Sequence, residues 1–135
     1  MNIHKAFLVL IVIGTAACTT PVEYIPESKT LKPATVGMPY FFRIKILGGG
    51  VMKHDTPGAT APSNMGISLR NCQLPESKIK NMLPKDSNDY NCIEIYGIPT
   101  KSGVIEIKLW GGMYGSMIAR ATRFKKEYTL NVTQP

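Results

Sequence analysis

The chain has 135 residues, 44% of them hydrophobic, with 16 Lys+Arg against 9 Asp+Glu and a net charge of +7. That is one domain's worth of chain, too apolar for a disordered tail, and 19% charged residues are too few for a coiled coil or a nucleic-acid-binding arm. Three cysteines are an odd count, which ordinarily leaves one thiol over.

Residues 1–5 contribute one lysine, and the apolar run from Ala6 to Ile13 breaks at Gly14. A spanning helix needs about 20 apolar residues, so this shorter run reads as a secretory signal peptide over residues 1–17. Thr15-Ala16-Ala17-Cys18 resembles the bacterial lipobox, with Thr15 where that motif prefers an aliphatic residue. The resemblance implies diacylglycerol on the Cys18 sulfur, cleavage before it, and acyl chains as the membrane anchor. Thr19 stands where the inner-membrane retention signal has Asp, which implies the outer membrane and a periplasmic domain. Cleavage would leave 135 − 17 = 118 residues and, with Lys5 gone, a charge of +6. The alternative is an ordinary cleaved signal with a cysteine beside the site.

Pro21, Pro26 and Pro33 punctuate the next stretch, so residues 18–29 are expected to be a lipid-anchored tether. Thr30 to Val36 could form a first edge strand, weakened by Pro33. From Pro39 to Ile46, Tyr40, Phe42, Ile44 and Ile46 alternate with polar neighbours, the period of a half-buried strand. Gly48-Gly49-Gly50 ends it, and Val51 to Asn64 shows no period and reads as a long loop. A short strand is expected at 67–69, and Pro75 to Leu83 could make one or two helical turns. Strands follow at 92–96 and 105–110, joined by a turn over Gly97–Gly103. Gly111-Gly112 and Gly115 frame a turn or a broad hairpin, and a bulge or turn is expected near 119–123. The last strand puts Phe124, Tyr128, Leu130 and Val132 on one face, with Lys126 breaking the inward set. Short alternating strands with Gly/Pro turns predict an all-β, antiparallel sandwich over residues 30–135.

Val36-Gly37-Met38-Pro39-Tyr40, the turn Gly97-Ile98-Pro99-Thr100-Lys101-Ser102-Gly103 and the closing Tyr128-Thr129-Leu130-Asn131-Val132 resemble the motifs of bacterial Ig-like domains, in the same order. Ile98 stands where that family has Thr, and its acidic residue after the penultimate strand is absent. The resemblance implies an Ig-like sandwich used for adhesion or scaffolding, without catalysis.

In an oxidising compartment, Cys72 and Cys92 are expected to pair, closing the irregular 73–91 segment and stabilising by roughly 3 kcal/mol. The alternative is two buried thiols. A metal site is not expected: no Cys-x-x-Cys is present and His54 is the one histidine left after cleavage. His54-Asp55 could be a base with an orienting carboxylate, or a solvated loop pair, the reading preferred here. No nucleophile elbow or phosphate-loop pattern accompanies it, so neither an enzyme nor a cofactor is expected.

Arg120, Arg123, Lys125 and Lys126 form a basic cluster, read either as a solubilising face or as a surface for an anionic lipid, polysaccharide or acidic protein. Nucleic acid is not an expected partner outside the cytoplasm. Trp110 falls on the polar side of its strand, near Tyr114. It is either an interface anchor or is turned back into the core by a glycine bulge. The expected function is a membrane-anchored, non-enzymatic binding or scaffolding module of the cell envelope, with Trp110, Tyr114, Arg120, Arg123, Lys125 and Lys126 as its candidate surface. The alternative is an immunity or inhibitor lipoprotein against a periplasmic toxin or hydrolase.

Overall fold

The computed structural model describes residues 21–79 and 87–135. The expected signal peptide, Cys18 and the latter part of the expected helical turns lie outside them. Eight strands form two four-stranded sheets: β1 (Glu23–Ile25), β3 (Tyr40–Leu47), β6 (Asn88–Gly97) and β5 (Ile67–Gln73) in the order β1-β3-β6-β5, and β2 (Ala34–Thr35), β8 (Thr122–Thr133), β7 (Gly103–Met113) and β4 (Gly58–Ala61) in the order β2-β8-β7-β4. A single helical turn, α1, covers Glu76–Ile79. All pairings are antiparallel except β2 with β8. The all-β sandwich expected from the alternation is present. Its strand order follows the two sheets of an immunoglobulin constant-type domain, with β2 added beside the last strand.

The core is the set of inward side chains from both sheets. Ile44, Ile46, Ile93 and Ile95 from one sheet meet Ile105, Ile107, Leu109, Tyr128 and Leu130 from the other, all essentially without solvent contact. Apolar area leaving water drives this packing, and the period-two strands place it on one face. Tyr128 brings its hydroxyl into the core boundary and donates it to the Pro26 carbonyl at 2.5 Å; Tyr40 donates to the Lys32 carbonyl at 2.7 Å. Burial pushes the pKa of both phenols up to about 12.

The described part of the expected tether belongs to the sandwich. Glu23, Tyr24 and Ile25 pair with Leu47, Ile46 and Lys45, and Tyr24 packs against the core. Period-two alternation cannot reveal a three-residue edge strand, and the prolines flanking it read as linker signals. Residues 29–36 then run parallel to β8, with Leu31 and Val36 donating to the carbonyls of Thr129 and Thr133. Regular pairing there is confined to Ala34–Thr35, after Pro33.

One other expectation gives way, and a second is narrowed. The loop expected at 51–64 contains β4, whose Gly-Ala-Thr-Ala sequence carries no alternation. A Cβ on Gly58 would collide with the Lys108 carbonyl, so glycine permits the close approach that pairs β4 with β7. The turn or broad hairpin framed by Gly111-Gly112 and Gly115 is a hairpin whose strands take in the first two glycines: β7 and β8 pair without interruption from Gly103 with Val132 to Met113 with Thr122. These glycines make room for neighbours. A Cβ on Gly111 would lie 2.8 Å from the Phe124 ring, and one on Gly112 2.9 Å from the Met52 sulfur. Of the bulge or turn expected near 119–123, the turn forms: the ladder carries no bulge, and the chain reverses in the hairpin loop 114–121.

The Cys72–Cys92 disulfide is formed, with Cα atoms 5.3 Å apart. It joins adjacent strands of one sheet, β5 and β6, unlike the inter-sheet bridge of antibody domains. Beside it the register shifts, so that Asn71 pairs with Ile93 but Cys72 with Asp89. The intervening residues 90–92 of β6 form an irregularity that shapes the candidate site.

Candidate functional site

The long β7–β8 ladder sets the site. On its outer face, register places Trp110 opposite Lys125 and Gly112 opposite Arg123. Because no bulge intervenes, Trp110 keeps its outward direction and remains 39% exposed. The absent side chain at Gly112 leaves a recess, and Met52 lies over it from the segment between β3 and β4. Together Met52, Lys53, His54, Trp110, Arg123 and Lys125 border an open groove of about 950 Å³.

Main-chain bonds hold the second wall. Val51 bridges Met113, Met52 donates to the Gly112 carbonyl at 2.8 Å, and Tyr114 donates to Gly50 at 2.8 Å. Asn91, in the β6 irregularity, braces the same segment from behind. Its Nδ2 donates to the carbonyls of Ile46 (2.9 Å) and Gly49 (2.7 Å), and its Oδ1 accepts from the Val51 amide at 3.0 Å. The neighbouring Tyr90 ring meets His54 edge-on, 5.3 Å between centroids. One strand irregularity thereby supplies both the brace and the contact that seats His54.

His54 lies in the groove wall, and its Nδ1 is buried with no hydrogen-bond partner. Burial lowers its pKa below the ordinary 6.5, opposed by its own backbone and by Asp55. No hydrogen bond joins Nδ1 to Asp55. Among the described residues, no group of three or more His, Cys, Asp or Glu side chains could hold a metal ion.

The groove lining combines two lysines, an arginine, the histidine and an indole, with no carboxylate among the described residues of the lining. Further along the same face the ladder changes sign: Lys108 lies opposite Glu127, and Thr129 donates to the Glu106 carboxylate at 3.3–3.4 Å. Positive charge is thus concentrated at the hairpin end of the sheet.

The expected surface residues divide. Trp110, Arg123 and Lys125 come together in the groove, while Tyr114 and Arg120 stand in the adjoining hairpin loop. Lys126 does not join them. It lies on the inward parity of β8, donates to the Glu27 carbonyl at 2.8 Å, and sits 5.1 and 5.4 Å from the ring centroids of Tyr128 and Tyr24. Its ammonium closes the sandwich edge, which explains why it interrupts the apolar series. Met52, Tyr90 and Asn91 were not anticipated; no sequence period marks them, because they act through the turn and the strand irregularity. Compared with protein-family models, curated proteins and solved structures, the chain matches none.

Proposed function

We propose that the protein is a lipid-anchored, non-enzymatic binding module of the cell envelope, and that the groove beside Trp110 takes an acidic surface of a partner protein. The observation carrying this reading is the groove's composition: Arg123 and Lys125 beside an exposed indole, with no acidic side chain among the described lining residues. A solubilising face has no need of a concave, braced recess or of an aromatic residue at its rim. Tryptophan and arginine are the residue types that dominate binding energy at interfaces, and a cationic recess favours an acidic partner. The anchor rests on the lipobox resemblance at Cys18, and the envelope location follows from it.

The test uses the full chain in its native envelope, with a photo-crosslinking residue at position 110 and, separately, at position 41 on the opposite sheet. Capture of a discrete acidic protein from position 110 alone supports the reading. Equal capture from both positions, or none from 110, overturns it. Labelled palmitate should enter the wild type and not Cys18→Ser; equal labelling overturns the anchor.

A further inference from the structure

We propose that the tip of the β7–β8 hairpin, Met117 and Ile118, inserts into the bilayer that anchors the chain, setting this end of the sandwich against anionic headgroups. The inference rests on the anchor reading above, but the geometry behind it is independent of that reading.

Met117 is fully exposed and its neighbour Ile118 is 89% exposed. Single apolar residues on a surface are ordinary, but two adjacent ones projecting from a loop tip form a compact apolar point. The loop is built to project them. Ser116 donates its amide to the Ala119 carbonyl at 2.8 Å, and its Oγ accepts from the amides of Ile118 (3.3 Å) and Ala119 (3.1 Å). A Cβ on Gly115 would lie 2.5 Å from the Ala119 carbonyl oxygen and 2.6 Å from the Ala121 nitrogen, so the knuckle closes only on glycine. The amides of Ser116, Ile118 and Ala119 are satisfied within the turn, and the apolar pair is left outside it.

The surrounding residues suit a headgroup layer. Tyr114, 57% exposed at the hairpin base, offers a ring with a polar end, and Arg120 lies on the returning arm. Aromatic residues with polar ends and basic side chains are favoured at this depth of an anionic bilayer.

Chain connectivity supplies the orientation. A Cβ on Gly48 would meet the Pro21 carbonyl and the Met113 sulfur, and one on Gly49 the Tyr114 carbonyl. Pro21 therefore enters the domain at the end from which the hairpin projects. Only Thr19 and Thr20 separate it from Cys18. Three Cα–Cα steps span at most about 11 Å. An acylated Cys18 thus brings this end down to the membrane and points the opposite end, at Gly103 and Val104, away. The groove then opens sideways near the membrane surface, which suits a partner lying close to the bilayer.

The test uses the full chain with whatever anchor it carries, reconstituted in vesicles of phosphatidylethanolamine and phosphatidylglycerol with brominated acyl chains. In a Trp110→Phe background, Met117→Trp places the fluorophore at the tip and Val104→Trp places it at the far end. Vesicle-bound protein should show several-fold stronger quenching from position 117 than from 104, and Ile118→Asp should weaken it. Both tip side chains are solvent-exposed, so an unchanged melting temperature verifies folding of these variants. Absent or equal quenching in vesicle-bound protein overturns insertion, with the anchor still standing, and directs attention to a protein pocket as the tip's receptor. Failure of the protein to float with vesicles overturns the anchor reading, and the inference with it. Replacing phosphatidylglycerol with phosphatidylcholine should lower quenching at 117; an unchanged value overturns the role of anionic headgroups.

Discussion

Both sheets turn a basic and aromatic outer face to solvent, and the two are finished differently. On the β3-β6-β5 face, Arg43 and Arg70 flank Glu94 from either side, at 3.9 and 3.8 Å, in the register that pairs both with it. Arg70 also lies over the Tyr96 ring at 4.0 Å and Arg43 over Phe41 at 5.4 Å. Glu94 is only 6% exposed, a carboxylate sheltered by its own partners. On the β7–β8 face, Trp110, Arg123 and Lys125 have similar chemistry, but the groove lining holds no acid among the described residues. Basic composition alone does not mark a binding surface. The mark is cationic and aromatic groups gathered in a recess without a carboxylate of their own.

That contrast can be broken or sharpened experimentally. The largest expected effect is on the matched sheet, where replacing both cysteines, Cys72→Ser with Cys92→Ser, should cost about 3 kcal/mol by freeing the intervening chain in the unfolded state. Urea denaturation measures it. A negligible shift would show that the matched face holds without its bridge.

Next, Arg123→Glu with Lys125→Glu should lower partner capture at position 110 by at least about tenfold, equivalent to ~1.4 kcal/mol. Stability should stay within about 0.5 kcal/mol, as for surface positions without structural partners. Lost stability together with lost capture would make these residues structural and erase the contrast. Glu94→Gln should do the reverse, costing about 1 kcal/mol while leaving capture intact, since its half-exposed arginines are screened by solvent.

The smallest effect concerns His54. Burial lowers its folded-state pKa below the unfolded 6.5, so the unfolded chain takes up the proton first as pH falls. Stability should be unaffected by this group above pH 6.5 and decline below it. His54→Phe should flatten that decline in thermal melts run from about pH 7.5 to pH 5. An unchanged slope would remove His54 from the account of the groove wall.

The legible parts of the fold were those in which side-chain direction repeats. Tyr40, Ile44 and Ile46, then Ile93 and Ile95, then Ile105, Ile107 and Leu109 alternate in sequence and are buried in the structure. Outward parity likewise marked Trp110, Arg123 and Lys125. Strands β1 and β4 escaped because three or four residues beside prolines or among small side chains carry no period. Gly111 and Gly112 left the hairpin's bounds open for a related reason. A glycine signals either backbone freedom or a neighbour's need for space, and only the positions of Phe124 and Met52 identify the second. Lys126 reads as one more surface cation until Tyr24 and Tyr128 are seen on either side of it.

The sequence by itself determined the all-β class, the alternating core and which side chains turn outward, because these depend on near neighbours along one strand. Tertiary structure alone decided that Trp110 meets Lys125 across a continuous ladder and that Asn91 braces a turn some 40 residues away in the chain. It also decided that Pro21 and the Met117–Ile118 tip share one end of the domain. Each of these is a contact between distant segments, set by register and packing, and no local pattern encodes register between strands far apart in the chain.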